Sequence, residues 1–137
     1  MFNLIYRDGA PENTGHYEGL KTDGVSTYKV GQAVALEEGV AKLCGGDTNT
    51  KKVYGIVSEG AEVSDESVTV LKVEKDMIFK CPVDEPATLF KGQKLAIDGE
   101  TFAGVIGAEE ALAEGYIGAT VADPTITDGH IEVRFEN

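Results

Sequence analysis

The segment KVGQAVALEEG, residues 29–39, returns as FKGQKLAIDGE at residues 90–100, with Gly31 and Gln32 matched by Gly92 and Gln93 across 61 positions. Val34 then pairs with Leu95, Ala35 with Ala96, Leu36 with Ile97 and Glu37 with Asp98. A glycine ahead of an alternating apolar run lets a sharp turn feed a strand, because glycine adopts backbone angles that β-branched residues cannot. The likeness continues downstream. YIGATVAD at 116–123 aligns with VYGIVSEG at 53–60 on Gly118 and Gly55, and HIEVRFE at 130–136 aligns with VTVLKVE at 68–74. The order in each half is glycine turn, hairpin, strand with an internal glycine, acidic loop, closing strand.

That order makes the chain all-β. Val34 and Leu36 alternate in AVALE, an acidic turn at Glu37–Gly39 leads into VAKLC, and SVTVLKVEK at 67–75 sets Val68, Val70 and Lys72 on one face against Thr69, Leu71 and Val73 on the other. MIFKCPV at 77–83 reads as a short strand stopped by Pro82 and Pro86. Two such half-units, residues 28–75 and 89–137, would wrap a common apolar core as a small barrel or a β-sandwich. Glycine-punctuated strands resemble one another in any β protein, so a single irregular set of strands is the alternative, and the class is the same. AEEALAEG at 108–115 offers at best two turns of helix, and an irregular loop fits it nearly as well.

Residues 1–27 differ in kind. An apolar cluster of Phe2, Leu4, Ile5 and Tyr6, followed by Arg7, runs into Gly, Pro, Asn and Thr without a period of 2 or 3.6. This segment reads as an extended N-terminal arm on a single β domain at 28–137, ordered when something ties it down. It could add a strand to a neighbouring sheet edge or pack on its own domain.

With 137 residues the chain can bury a real core, and 17 glycines, about 12% against a usual ~7%, fit many turns between many strands. The net charge of −12 opposes contact with nucleic acid phosphates, and no apolar run is long enough to span a bilayer. MFNLIYRDG lacks the basic start and long apolar stretch of a secretory leader, so synthesis in the cytoplasm and two reduced thiols, Cys44 and Cys81, are expected.

No catalytic set stands out. His16 and His130 lack metal-ligand spacing to other donors, and no motif surrounds a pairing of Cys44 or Cys81 with His130. The acidic pairs Glu37/Glu38, Asp65/Glu66, Asp84/Glu85 and Glu109/Glu110 fall mostly in turns, and without Trp there is no sugar-stacking cleft to give them glycosidase chemistry. GDTNTK at 46–51 starts like a calcium loop but lacks its downstream glycine and glutamate, and no phosphate loop is present. No catalytic residue, metal or cofactor is expected.

Taken in order, GQAVALEEGVAKLC, KKVYGIVSEG, VTVLKVEKDMIFKCPV, FKGQKLAIDGETF, YIGATVAD and HIEVRFEN resemble the small capsid decoration (cement, head-stabilising) proteins of tailed phages, over roughly residues 28–137. The resemblance implies a non-enzymatic structural role. Copies, often trimers, would bind the major capsid protein on the outside of an expanded phage head, which places the protein on the virion surface. Phe2, Leu4, Ile5, Tyr6 and Arg7 would then supply capsid or neighbour contacts from the arm. The alternative is a β-barrel ligand-binding module for a peptide or carbohydrate, with Tyr28, Tyr54, Phe79, Phe90 and Tyr116 lining its pocket.

Overall fold

The computed structural model describes residues 2–7, 16–44, 52–82, 89–97, 105–106, 119–127 and 129–135. Its strands are β1 (Asn3–Arg7), β2 (Tyr17–Lys21), β3 (Ala33–Glu37), β4 (Val40–Leu43), β5 (Gly55–Glu59), β6 (Ser67–Lys72), β7 (Met77–Pro82), β8 (Lys94–Ile97), β9 (Val105–Ile106), β10 (Ala119–Thr127) and β11 (His130–Phe135). The all-β fold expected from the sequence is what forms. Strands β2-β4-β3-β5-β6 close into a barrel, and β1-β7-β11-β10-β8-β9 form an open six-stranded sheet. The segment 108–115, the loop at 46–51 and the acidic pairs Asp84/Glu85 and Glu109/Glu110 lie outside the described residues.

The two halves repeat the same glycine turn and the same antiparallel pairings, while the parallel β2–β4 contact has no counterpart between β7 and β9. In the first turn Gln32 N donates to Lys29 O (3.1 Å) and Lys29 N to Gln32 Oε1 (2.8 Å). In the second, Gln93 N donates to Phe90 O (3.0 Å) and Phe90 N to Gln93 Oε1 (3.0 Å). Gly31 and Gly92 sit at φ 90° and 85°, angles that cost an L side chain about 1 kcal/mol or more. Each turn is then tied to the neighbouring strand by the same two bonds: Gly31 N to Val57 O with Val57 N to Gln32 O, and Gly92 N to Val121 O with Val121 N to Gln93 O. The β5–β6 ladder slips between Val57 and Glu59, and the β10–β11 ladder slips between Val121 and Asp123, at the matching place.

Two sequence expectations are corrected by these pairings. Val57 corresponds to Val121, so Gly55 corresponds to Ala119 and not to Gly118, and Lys72 corresponds to Phe135 and not to Arg134; the apparent glycine match and the alignment of HIEVRFE with VTVLKVE are each one residue out of register. The unit also starts earlier than residue 28. Strand β2 pairs with β6 along its whole length, Tyr17↔Leu71 to Lys21↔Ser67, and β7 pairs with β11 in the equivalent register. The units are therefore β2–β6 and β7–β11. The described residues of the expected arm, 2–7 and 16–27, do not stand off the domain: β2 is a barrel strand, and β1 adds antiparallel to the edge of β7.

The barrel closes through a single parallel contact, Lys21↔Val40. A two-residue hairpin at Glu38–Gly39, both at positive φ (51° and 81°), swings β4 back along β3 and delivers it to that contact. The barrel interior is filled by Leu20, Tyr28, Val34, Ala41, Val57, Ala61, Val68 and Val70. Tyr28 crosses it, its hydroxyl donating to Ala41 O (2.7 Å) while accepting from Asp23 N (3.0 Å). A second core joins the outside of the barrel to the open sheet: Ala33, Ala35, Ile56, Leu71 and Val73 meet Met77, Phe79, Cys81, Leu95, Val121, Ile131, Val133 and Phe135. The expected two-faced strand at 67–75 explains this, since Val68 and Val70 face the barrel interior and Leu71 and Val73 face the second sheet.

Tyr28→Phe leaves two polar groups of a packed barrel without their partner, which should lower unfolding free energy by about 1–3 kcal/mol in denaturant melts. Gly55→Ala should cost a similar ~1–3 kcal/mol, because an added Cβ would stand 2.8 Å from Leu71 O, a main-chain atom inside a ladder.

Candidate functional site

Phe2 is buried, and Leu4 is partly buried against the same core. Phe2 stacks edge-on against Phe135 with ring centroids 5.2 Å apart, and Phe79 does the same at 5.4 Å. Phe2 N donates to Gly31 O (2.9 Å), which ties the N-terminus to the turn of the first unit while its ring sits against the second. Main-chain pairing continues the attachment through Asn3↔Lys80, Leu4↔Phe79, Tyr6↔Ile78 and Arg7↔Met77. Two of the five arm residues singled out from the sequence are thus core contacts. The side chains of Ile5, Tyr6 and Arg7 lie outside what the structure describes.

The duplicated unit reveals a second locality that the sequence had not marked. Glu18, on β2, lies where Phe79 lies on β7, and Lys72, on β6, lies where Phe135 lies on β11. His16, whose carbonyl accepts from Lys72 N, takes the place of Met77. Where the second unit has an apolar seat for the N-terminal strand, the first has a polar cluster. The Tyr54 hydroxyl donates to Glu18 Oε2, His16 Nε2 lies 3.0 Å from Glu18 Oε1, and Lys72 Nζ stands 5.7 Å from the centre of the Tyr54 ring. The Tyr54 hydrogen bond, with help from His16 and Lys72, holds the Glu18 carboxyl below its ordinary range, and the Glu18 contact in turn raises the Tyr54 phenol.

At the other end of the barrel the loops bearing Lys21–Gly24 and Val63–Glu66 border an open cleft of about 590 Å3. Two of its carboxylates, Asp23 and Asp65, serve the loops. Asp23 accepts from Val25 N (2.9 Å), Ser26 N (2.8 Å) and Ser26 Oγ (2.6 Å), and Asp65 accepts from Glu62 N (2.7 Å). Thr22 Oγ1 pins the two loops by donating to Asp65 O (2.7 Å).

The aromatic residues proposed to line a ligand pocket are dispersed. Tyr28 fills the barrel, Phe79 belongs to the shared core, Tyr54 belongs to the polar cluster, and Phe90 is exposed on the second glycine turn; Tyr116 lies outside the described residues. Cys44 and Cys81 are free and buried in the shared core, and burial pushes both thiols up to about 12. No group of three or more potential metal-binding side chains occurs among the described residues. No protein-family model matches the chain, and no curated protein matches its sequence.

Two measurements check this geometry. At pH 8 the native protein should resist a thiol reagent such as iodoacetamide and react at both cysteines once denatured, because a buried thiol at about 12 holds almost no thiolate. In a carbon-detected NMR titration the Glu18 carboxyl should ionise below the ordinary glutamate range and move upward in Tyr54→Phe, since the bond that favours its charged form is gone. The depressed folded-state value means that the stability contributed by Glu18 is present above the unfolded value and is lost as pH falls through the folded one.

Proposed function

We propose that the protein is a non-enzymatic structural protein that binds the outer surface of an assembled phage capsid and stabilises it. The sequence resemblance over residues 28–137 supports this reading. The structural observation that supports it most is the N-terminal strand: an edge strand, paired on one side only among the described residues and anchored inward by Phe2 and Leu4. Such a strand presents a row of main-chain donors and acceptors to an incoming chain, a common mode of protein recognition. Its partner in this reading is the major capsid protein.

The protein acts as a homo-oligomer, a trimer by the resemblance, so that weak contacts repeated across a shell sum to firm attachment. The net charge of −12 keeps free copies soluble before assembly and disfavours nucleic acid as a partner. No cofactor or catalytic residue is assigned.

Co-sedimentation with expanded phage shells is the test. Removing residues 1–27 would take β2 out of the barrel, so the informative cut falls after Arg7 and removes only β1 and its leading residues. The full chain should pellet with shells at saturable stoichiometry, and the shortened chain, shown folded by circular dichroism, should not. Pelleting of both would move the contact from β1 to the rest of the β domain. Failure of the full chain to bind would remove the capsid role.

A further inference from the structure

The second unit shows how this fold takes up an extra strand, and the first unit has the equivalent place. In the β2–β6 ladder, Lys72 N donates to His16 O, which fixes the phase of the pairing. Antiparallel ladders alternate, so the main-chain groups of Tyr17 and Gly19 turn away from β6, toward the opposite edge. The equivalent groups on β7, those of Ile78 and Lys80, are the ones turned toward β1. On β2 the only neighbour on that side among the described residues is β4, and it touches β2 only at Lys21↔Val40, the last residue of the strand. The edge from His16 to Gly19 has no described strand beside it. A Cβ built at Gly19 would meet nothing within 4 Å, and Tyr17 is 53% exposed.

The character of this edge differs from that of its counterpart in one respect. Leu4 of β1 pairs opposite Phe79, an apolar contact at the edge of the shared core. The residue in the place of Phe79 is Glu18, whose side chain is 26% exposed beside Tyr54 and His16. Its two oxygens each accept one bond from these neighbours, and a carboxylate has room for about four. A strand entering here would find a carboxylate where β1 finds a phenyl ring. A second copy's β1, with Leu4 at the facing position, is a poor match for that carboxylate.

We propose that the His16–Gly19 edge of β2 takes up an extended segment of another protein as an additional antiparallel strand, with a lysine or arginine of that segment set against Glu18. Main-chain bonds to Tyr17 and Gly19 supply attachment, and Glu18 selects a basic residue at one position. The site is distinct from β1 and stands whether or not the chain decorates a shell.

The test uses two synthetic hexapeptides with the full chain, followed by amide NMR and hydrogen exchange. FNKIYR carries lysine at the position that Leu4 occupies in β1, and FNLIYR keeps leucine there. FNKIYR should shift and protect the amides of Tyr17 and Gly19, and should bind about tenfold more tightly than FNLIYR, the difference a charge-assisted hydrogen bond makes. Gly19→Pro, which removes one N–H aimed at the slot, should abolish the protection. Glu18→Lys, at a partly exposed position, should erase the preference for FNKIYR and keeps the proposal testable if the proline variant does not fold. The proposal is overturned if neither peptide shifts Tyr17 and Gly19 at millimolar concentration, if the shifts fall instead on Ile78 and Lys80, or if the two peptides bind equally well.

Discussion

The outer wall of the barrel is the surface on which the rest of the molecule is built. Ala33 and Ala35 are small and fully buried there, letting the second sheet approach closely, while Ile56, Leu71 and Val73 provide the apolar bulk. The second sheet answers with Phe79, Phe135, Ile131 and Val133 from two adjacent strands. Burial of large apolar side chains is worth roughly 1.5–3 kcal/mol each, so this interface carries much of what holds the open sheet in shape. Phe2 is set into the same core and bonds to Gly31, which makes the N-terminus a clamp between the two units.

One design yields a closed barrel in the first unit and an open sheet in the second. The glycine turn, the strand register and the slip that follows Val57 and Val121 are common to both. The differences lie at particular positions. Tyr28, which bridges the barrel interior, is matched by Leu89, which packs into the shared core with no hydroxyl to span anything. The two-residue Glu38–Gly39 hairpin brings β4 to β2, whereas the equivalent connection from β8 to β9 is longer by five residues. On β7 the edge strand is β1, and on β2 the same stretch of edge is polar.

The repeated Gly-Gln turn was legible because it carries a structural demand, a positive φ and a side-chain bond back to the turn, which only a few residue types meet. Strand β2 was not legible. Its inward positions are Glu18 and Leu20, and with a carboxylate at one of them the apolar alternation that marks a strand disappears. Strand β1 sits beyond a stretch rich in turn-forming residues, so nothing in its own composition separated a free arm from a docked strand. The Glu18–Tyr54–Lys72 cluster was hidden for a different reason: its members come from β2, β6 and the residue just before β5, and they meet only when β2 pairs with β6. The correct repeat register, which sets Glu18 against Phe79 and Lys72 against Phe135, is the signal that exposes it.

The dependence of both units on one shared core is tested most directly by native-state hydrogen exchange in Phe135→Ala. The amides of Val57 and Val121 report equivalent bonds, one at the barrel turn and one at the sheet turn. If the core is shared, both should lose protection together and by the same opening free energy. Loss at Val121 with Val57 unchanged would mean that the barrel stands alone and the second sheet merely leans on it.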